Sequence, residues 1–385
     1  METVGIPLFL SFNNILIMTK YFLLLATIFF SVSSQAQDTK VNLFIGTYTK
    51  TCDSKGVYLY EFDTATGETK MKAATENVVN PSFLTLSNDK KFIYATNEDG
   101  DSSKVSAFHF NSNQNQFTFL NSQKSEGNDP CHIINDDQNV IVANYSGGNI
   151  TVFGKNNDGT IGKYKQIMKH QVQSLNENEP EPSHMHMLQL SPDRKYLIAS
   201  DLGKDYLYVY RYNPEAKSAV LEFSFLARVK HAAGPRHFTF SPNGKFVYLI
   251  NELDGTLLAF KYREGELQFI QETTIVAKDF KGKTSAADIH ISPDGKFLYA
   301  TNRGDANTIS CFEIKKNGKL KLRQIASTLG KGPRNFSIDP TGNFLLVAHQ
   351  YTNDVVIFKI DKTTGELTDS GKRIELCSPV CLVFE

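Results

Sequence analysis

The chain predicts an all-β fold: a seven-bladed β-propeller of four-stranded blades, its ring closed by the C-terminal strand joining the N-terminal blade. Three observations carry this. A hairpin sentence returns roughly every 50 residues, with corners at Pro81, Pro130, Pro182, Pro235, Ala287, Pro333 and Pro379. The last corner opens a strand, Pro379–Phe384, with no hairpin after it, while Val41–Tyr48 and Val57–Phe62 read as second and third strands with no first. Pairing these orphans closes a ring and removes the sheet edges that would invite aggregation. Finally, the 28 Phe and 16 Tyr with no Trp fit a large β core and argue against WD-type repeats.

The first 36 residues stand apart. Lys20 precedes an apolar run from Tyr21 to Phe30, and Ser34-Gln35-Ala36 has the small-x-small pattern of a secretory cleavage site. Residues 1–36 are therefore expected to be a signal peptide, and 37–385 the propeller. Met18 makes a more ordinary signal start than Met1, and an uncleaved membrane anchor is the competing reading. The expectation is an exported, periplasmic protein with no stable membrane association after cleavage.

Within the propeller each unit repeats one grammar. In residues 234–252 the polar corner Pro235-Arg236-His237 leads into Phe238 and Phe240, a Ser241-Pro242-Asn243-Gly244 turn, the run Phe246–Ile250, and the pair Asn251-Glu252. Alternation, turn residues and a second apolar run spell a hairpin. Related turns are Ser87-Asn88-Asp89-Lys90, Ser191-Pro192-Asp193-Arg194, Ser292-Pro293-Asp294-Gly295 and Asp339-Pro340-Thr341-Gly342. Third strands follow at Val105–Phe110, Asn149–Phe153, Tyr206–Tyr212, Thr256–Tyr262, Thr308–Ile314 and Asp354–Ile360, then a weaker fourth after a Gly-containing turn. The five cysteines show no redox or zinc spacing; Cys377 and Cys381, four apart, are expected on one strand face, and all five read as buried or half-buried thiols.

Function follows from where a hairpin's ends go. They come together, so seven corners and seven second-strand ends converge on one mouth of the channel. That mouth collects Glu98 and Glu252, Arg236, Arg303 and Arg334, and the imidazoles of His132, His184, His186, His237 and His290. Turn chemistry does not ask for these residues. Several arginines around one carboxylate suit an anionic ligand; the competing reading is a structural ion pair at the rim. His132, His237 and His290 could equally be straps between blades. His184 and His186, two apart on a strand, would share a face. They could begin a metal site, but no third ligand at convincing spacing follows, so neither metal nor cofactor is expected. The equal counts of 41 basic and 41 acidic residues exclude an electrostatic grip on nucleic acid.

The residues also carry a resemblance. Phe44-Ile45-Gly46-Thr47-Tyr48-Thr49, Ala143-Asn144-Tyr145-Ser146-Gly147-Gly148, His184-x-His186 with Asp201-Leu202-Gly203, Gly234-Pro235-Arg236-His237 with Asn251-Glu252-Leu253, Ile289-His290 with Asn302-Arg303-Gly304, and Gly332-Pro333-Arg334 appear in that order. Over nearly the whole mature chain this resembles the seven-bladed lactonase family, which includes propeller-type 6-phosphogluconolactonases and the fungal 3-carboxy-cis,cis-muconate lactonizing enzyme. His349-Gln350 departs from that family's usual Asn-Gln, and Asn88 from its turn proline. The resemblance implies hydrolysis of a small sugar lactone by a monomer, at a site built from a His of the His184/His186 pair, Arg236, Glu252 and Arg303. Glu252 would be the general base, with an imidazole assisting, and the arginines would stabilise the oxyanion or hold an acidic group. His237, His290, Arg334, Glu98 and His132 would contact substrate. The alternatives are a non-catalytic binding propeller and a muconate-type cycloisomerase.

Overall fold

In the computed structural model, which describes residues 1–2, 39–76, 78–169 and 182–385, the strands form seven four-stranded antiparallel sheets. Apart from Met1 and Glu2, the expected signal segment lies outside the described residues. The first sheet is the closing one. Its order is Pro379–Phe384, Lys40–Thr47, Val57–Asp63, Thr69–Ala74, so the chain's last strand is the innermost strand of its first blade. The other blades run in order from innermost strands Leu84–Leu86, Pro130–Asn135, Met185–Leu190, Pro235–Phe240, Ala286–Ile291 and Pro333–Ile338. The expected third strands agree with the structure to within two residues at each end.

The turn grammar has a physical basis. Ser87, Ser191, Ser241 and Ser292 each donate their hydroxyl to the Asp or Asn two residues on, at 2.6–2.8 Å. Each hydroxyl also accepts the N–H five residues on, which opens the second strand, at 2.9–3.0 Å. Asp339 replaces this serine in the last hairpin and accepts the Phe344 N–H with its carboxylate. The fourth turn residue is left-handed throughout, which suits Gly244 and Gly295 but is also met by Lys90 and Arg194.

Blades are held to one another by apolar packing. Seven buried clusters form, one between each pair of neighbouring blades; that between blades five and six includes Tyr248, Ile250, Ile289, Leu298 and Phe312. Each such side chain contributes about 1.5–3 kcal/mol when fully buried. Polar straps add registry: the hydroxyls of Tyr94, Tyr248 and Tyr299 reach across to the carbonyls of Gly159, Gly318 and Gly365 in the outer turn of the next blade. Gly318, at φ +81°, lies so close against Phe246 that a Cβ would collide with the ring.

The cysteine expectation is corrected for two of the five. Cys52 and Cys377 form a disulfide across 325 residues of sequence, joining the loop after the first blade's second strand to the segment entering its innermost strand. Cys377 precedes that strand and shares no strand face with Cys381. The two could not be paired from sequence because only ring closure makes them neighbours. Cys131, Cys311 and Cys381 are buried thiols, as expected.

Candidate active site at the channel mouth

Seven backbone hydrogen bonds build the mouth. The residue after each second strand donates its N–H to a carbonyl of the corner leading into its own blade: Tyr48 to Ser378, Glu98 to Asn80, Tyr145 to Asp129, Leu202 to His184, Glu252 to Gly234, Arg303 to Ser285 and Gln350 to Gly332, all at 2.7–3.2 Å. Alternation along the strand then turns the preceding Asn, Asp, His or Thr into the blade, where it bonds locally. Asn97 bonds Ser106, Asn251 bonds Thr256, and His349 lies 3.0 Å from Asp354. The His349 departure thus sits inside its blade, not on the rim.

The corners supply the other half through a repeated irregularity. The pairing of innermost and second strands slips between Pro130 and His132, Met185 and Met187, Pro235 and Phe238, Ala286 and Ile289, and Pro333 and Asn335. The residues skipped include Cys131, His186, Arg236, His237, Asp288 and Arg334. A bulge releases side chains from strict alternation and re-aims them. That is how Arg236 and His237, adjacent in sequence, are both buried at the channel, 2% and 4% exposed.

One side of the mouth is a closed ion-pair clamp. Arg236 Nε lies 2.9 Å from Glu252 Oε2, and Arg303 reaches Oε1 at 3.0 Å, where the Ser285 hydroxyl also donates at 3.3 Å. Arg236 further donates to the Ala287 carbonyl and Arg303 Nε to that of Ser285. Burial alone would raise the Glu252 carboxyl, but Arg303, Arg236 and Arg334 outweigh it and hold it below its ordinary 4.5. Burial and the neighbouring Arg303 bring Arg236 down to about 9. Glu252 is therefore an ionised carboxylate, and the two guanidiniums share a single negative charge.

The two histidines expected on one strand face are separated, which corrects that expectation. His184 precedes the strand that begins at Met185. Its ring stacks on Tyr145 at 4.4 Å, with Nδ1 3.0 Å from the Tyr145 carbonyl. A carbonyl only accepts, so Nδ1 carries a proton, and in the neutral ring Nε2 is the nitrogen that holds the lone pair. His186, on the bulge, is buried; burial and the charge of Arg236 push its imidazole well below 6.5, so it is neutral.

Across from the clamp, the Tyr48 hydroxyl donates to Glu98 at 2.8 Å, and the Arg334 guanidinium lies over the Tyr48 ring, 5.4 Å from its centre. Among the described residues Arg334 has no hydrogen bond or ion pair. Arg334, Arg236, His186 and His237 line one narrow cavity below the mouth with Ser82 and Asn335, with about 10 Å³ of room for a water-sized occupant. A cleft of about 620 Å³ between the first two blades contains none of the predicted site residues.

His237 and His290 are straps, the alternative weighed for them. Asp288 accepts His237 Nδ1 at 2.8 Å, His290 Nε2 at 2.9 Å and Asn335 Nδ2 at 2.6 Å, tying three innermost strands together. Asn335 continues the chain to the Leu382 N–H of the closing strand. Burial opposes ionisation of Asp288, but His290 and His237 hold it well below 3.8; burial and Arg236 hold His237 down to about 4. His132 is buried against Phe83 and His237, at ring distances of 4.2 and 5.7 Å. The sequence reading left Tyr145, Tyr48 and Ser285 out of the site and gave Asp288 no role. The sevenfold alignment of second-strand ends was the signal for both tyrosines. Asp288 stands at a corner in the same alignment as Arg236 and His237; for Ser285 no sequence signal existed.

Among the described residues no group of three His, Cys, Asp or Glu side chains is placed to hold a metal, and no helix is long and apolar enough to cross a membrane.

Comparison with known proteins agrees with this geometry. Residues 42–384 match the family model for the lactonase seven-bladed β-propeller. A 6-phosphogluconolactonase of Formosa agariphila is 36% identical over 332 residues, spanning 84% of this chain and 94% of the relative. One of Bacillus subtilis is 34% identical, spanning 90% and 99%. Among solved structures, the periplasmic gluconolactonase of Pseudomonas aeruginosa superposes with a TM-score of 0.83 at 31% identity, covering 90% of this chain and 99% of that one. With its blades, its closure and its sequence all in agreement, the chain belongs to the lactonase family of seven-bladed β-propellers.

Proposed function

We propose that this lactonase opens a six-membered sugar lactone at the channel mouth, in the manner of 6-phosphogluconolactone hydrolysis to 6-phosphogluconate. Lactone hydrolysis as the reaction class rests on the family and on relatives named for it. The observation that carries the site assignment is the Arg236–Glu252–Arg303 clamp, an ionised carboxylate between two buried guanidiniums.

Water adds its oxygen to the lactone carbonyl carbon while its proton passes to Glu252, with the His184 Nε2 lone pair as the assisting acceptor. Negative charge develops on the carbonyl oxygen, where Arg236 and Arg303, already fixed by carbonyl bonds, stabilise it without reorganisation. The bond from the carbonyl carbon to the ring oxygen then breaks. The ring oxygen takes the proton back from Glu252, giving the open hydroxy acid. A carboxylate below its ordinary pKa is a modest base, which suffices for a substrate already activated as a lactone. His186, His237 and Arg334 contact substrate from the cavity side, Glu98 acts through Tyr48, and His132 and His290 support the channel wall. No metal or cofactor takes part.

The protein acts outside the cytoplasm, as a monomer after loss of residues 1–36. The Cys52–Cys377 disulfide supports export, since such bonds persist in oxidising compartments. The test is hydrolysis of 6-phosphogluconolactone and glucono-1,5-lactone, spontaneous opening subtracted, by wild type and Glu252→Gln. Turnover unchanged in the variant overturns the site assignment; no turnover of either lactone by wild type overturns the substrate.

A further inference from the structure

Of the three arginines at the mouth, two are ion-paired and one is not. Arg236 and Arg303 each pair with Glu252 and each donate to a backbone carbonyl. Arg334 makes neither kind of bond among the described residues. Among the described residues it rests on the face of Tyr48 alone, and a guanidinium stacked on a ring still presents its N–H donors at its edge. A half-buried cation with five open donors is costly unless something accepts from it. Its platform is built: Tyr48 is fixed by the Glu98 carboxylate at 2.8 Å and by its own N–H to Ser378, beside the Cys52–Cys377 bridge.

A second, independent observation also points to a ligand. The cavity wall shared by Arg334 and Arg236 carries His186 Nδ1 and His237 Nε2, both without hydrogen-bond partners, on residues 5% and 4% exposed. With space for one water-sized group, the cavity admits at most one oxygen of a larger substituent, whose remainder stays at the mouth.

We propose that Arg334 is the specificity-determining residue of this lactonase, reading an acidic substituent at the end of the sugar remote from the lactone carbonyl. The proposal rests on the lactonase reading and deepens it: the clamp handles the carbonyl, and Arg334 selects substrates ending in a phosphate or a carboxylate. Both present two oxygens that accept parallel N–H bonds from a guanidinium edge.

The experiment uses product acids, so that it is independent of turnover. Calorimetric binding of 6-phosphogluconate, glucarate and gluconate is measured on the full chain. All three carry the carboxylate that hydrolysis creates and differ only at the far end, as phosphate, carboxylate or neutral hydroxyl. Wild type should bind 6-phosphogluconate, glucarate or both about 10- to 100-fold more tightly than gluconate, the range for hydrogen bonds to a charged group. Which acid is preferred identifies the substituent. Arg334→Met should bring the three within about threefold of one another, and Arg334→Lys should keep part of the preference as a point charge. Melting temperatures of both variants guard against a folding defect. Gluconate bound by wild type as tightly as both others, no detectable binding, or a preference surviving in Arg334→Met overturns the proposal. So does equal weakening of all three ligands, which would make Arg334 a partner of the carbonyl end. Failure of the lactonase reading shows separately, as hydrolysis indifferent to Glu252→Gln.

Discussion

The two sides of the channel mouth use the same residue types in opposite ways. On one side Glu252 is gripped by Arg236 and Arg303, and every charged group has its partner. On the other, Glu98 spends its hydrogen bond on Tyr48, and Arg334 lies on that ring with its donors open. An ion-paired clamp presents charges already fixed in place, which suits stabilising charge that appears only during reaction. An open guanidinium gains most from a charge that arrives with the ligand. Residue type alone does not tell a catalytic arginine from a selective one; the bonds already made do.

The largest expected effect breaks the clamp. Glu252→Gln should lower kcat by about 10²- to 10⁴-fold on phosphorylated and neutral lactones alike, read in a pH-stat assay. A loss confined to one substrate would place Glu252 on the selective side. The clamp also sets a pH dependence. The folded Glu252 carboxyl titrates below 4.5, so the stability it contributes is present above that value and lost as pH falls through the lower folded one. Wild type should therefore lose more stability than Glu252→Gln between pH 4.5 and more acid conditions, as urea midpoints would show.

Beneath both sides lies the Asp288 strap, and cutting it tests whether they share a foundation. Asp288→Ala leaves His237, His290 and Asn335 without their acceptor. It should cost about 3–5 kcal/mol, the range for breaking a buried charged pair, measured by urea unfolding. A loss under 1 kcal/mol would mean the strap is not structural.

Removing the bridge sharpens the comparison from outside. Cys52→Ser with Cys377→Ser should destabilise the ring by about 2–4 kcal/mol. Because the bridge adjoins Tyr48, the weakened binding should fall on acid-ended ligands more than on gluconate. The smallest effect isolates one hydrogen bond. Tyr48→Phe keeps the stacking face and loses the bond to Glu98, and should weaken acid-ended ligands about 2- to 10-fold with the clamp's kcat unchanged.

Much of this was legible beforehand because it is local or periodic. The Ser-x-Asp turns mark three of the hairpins through bonds made within six residues, and a repeat of about 50 residues reports the blades. The orphan strands at the two ends implied closure, and a hairpin's geometry alone put Arg236 beside Glu252. The His184/His186 reading failed because it applied strict alternation where the strand has not begun and a bulge follows.

The sequence by itself determined the blade count, the closing strand and the set of polar residues at the mouth, since turns and alternation are read from neighbours along the chain. Only the tertiary structure decided which of those residues are bound and which are open. That choice depends on bulges at the innermost strands, on Asp288 meeting partners from two other blades, and on Cys52 meeting Cys377 across the whole ring. The last two are contacts between residues distant in sequence, fixed by how the blades assemble into a ring, and the bulges break the alternation that a local pattern assumes.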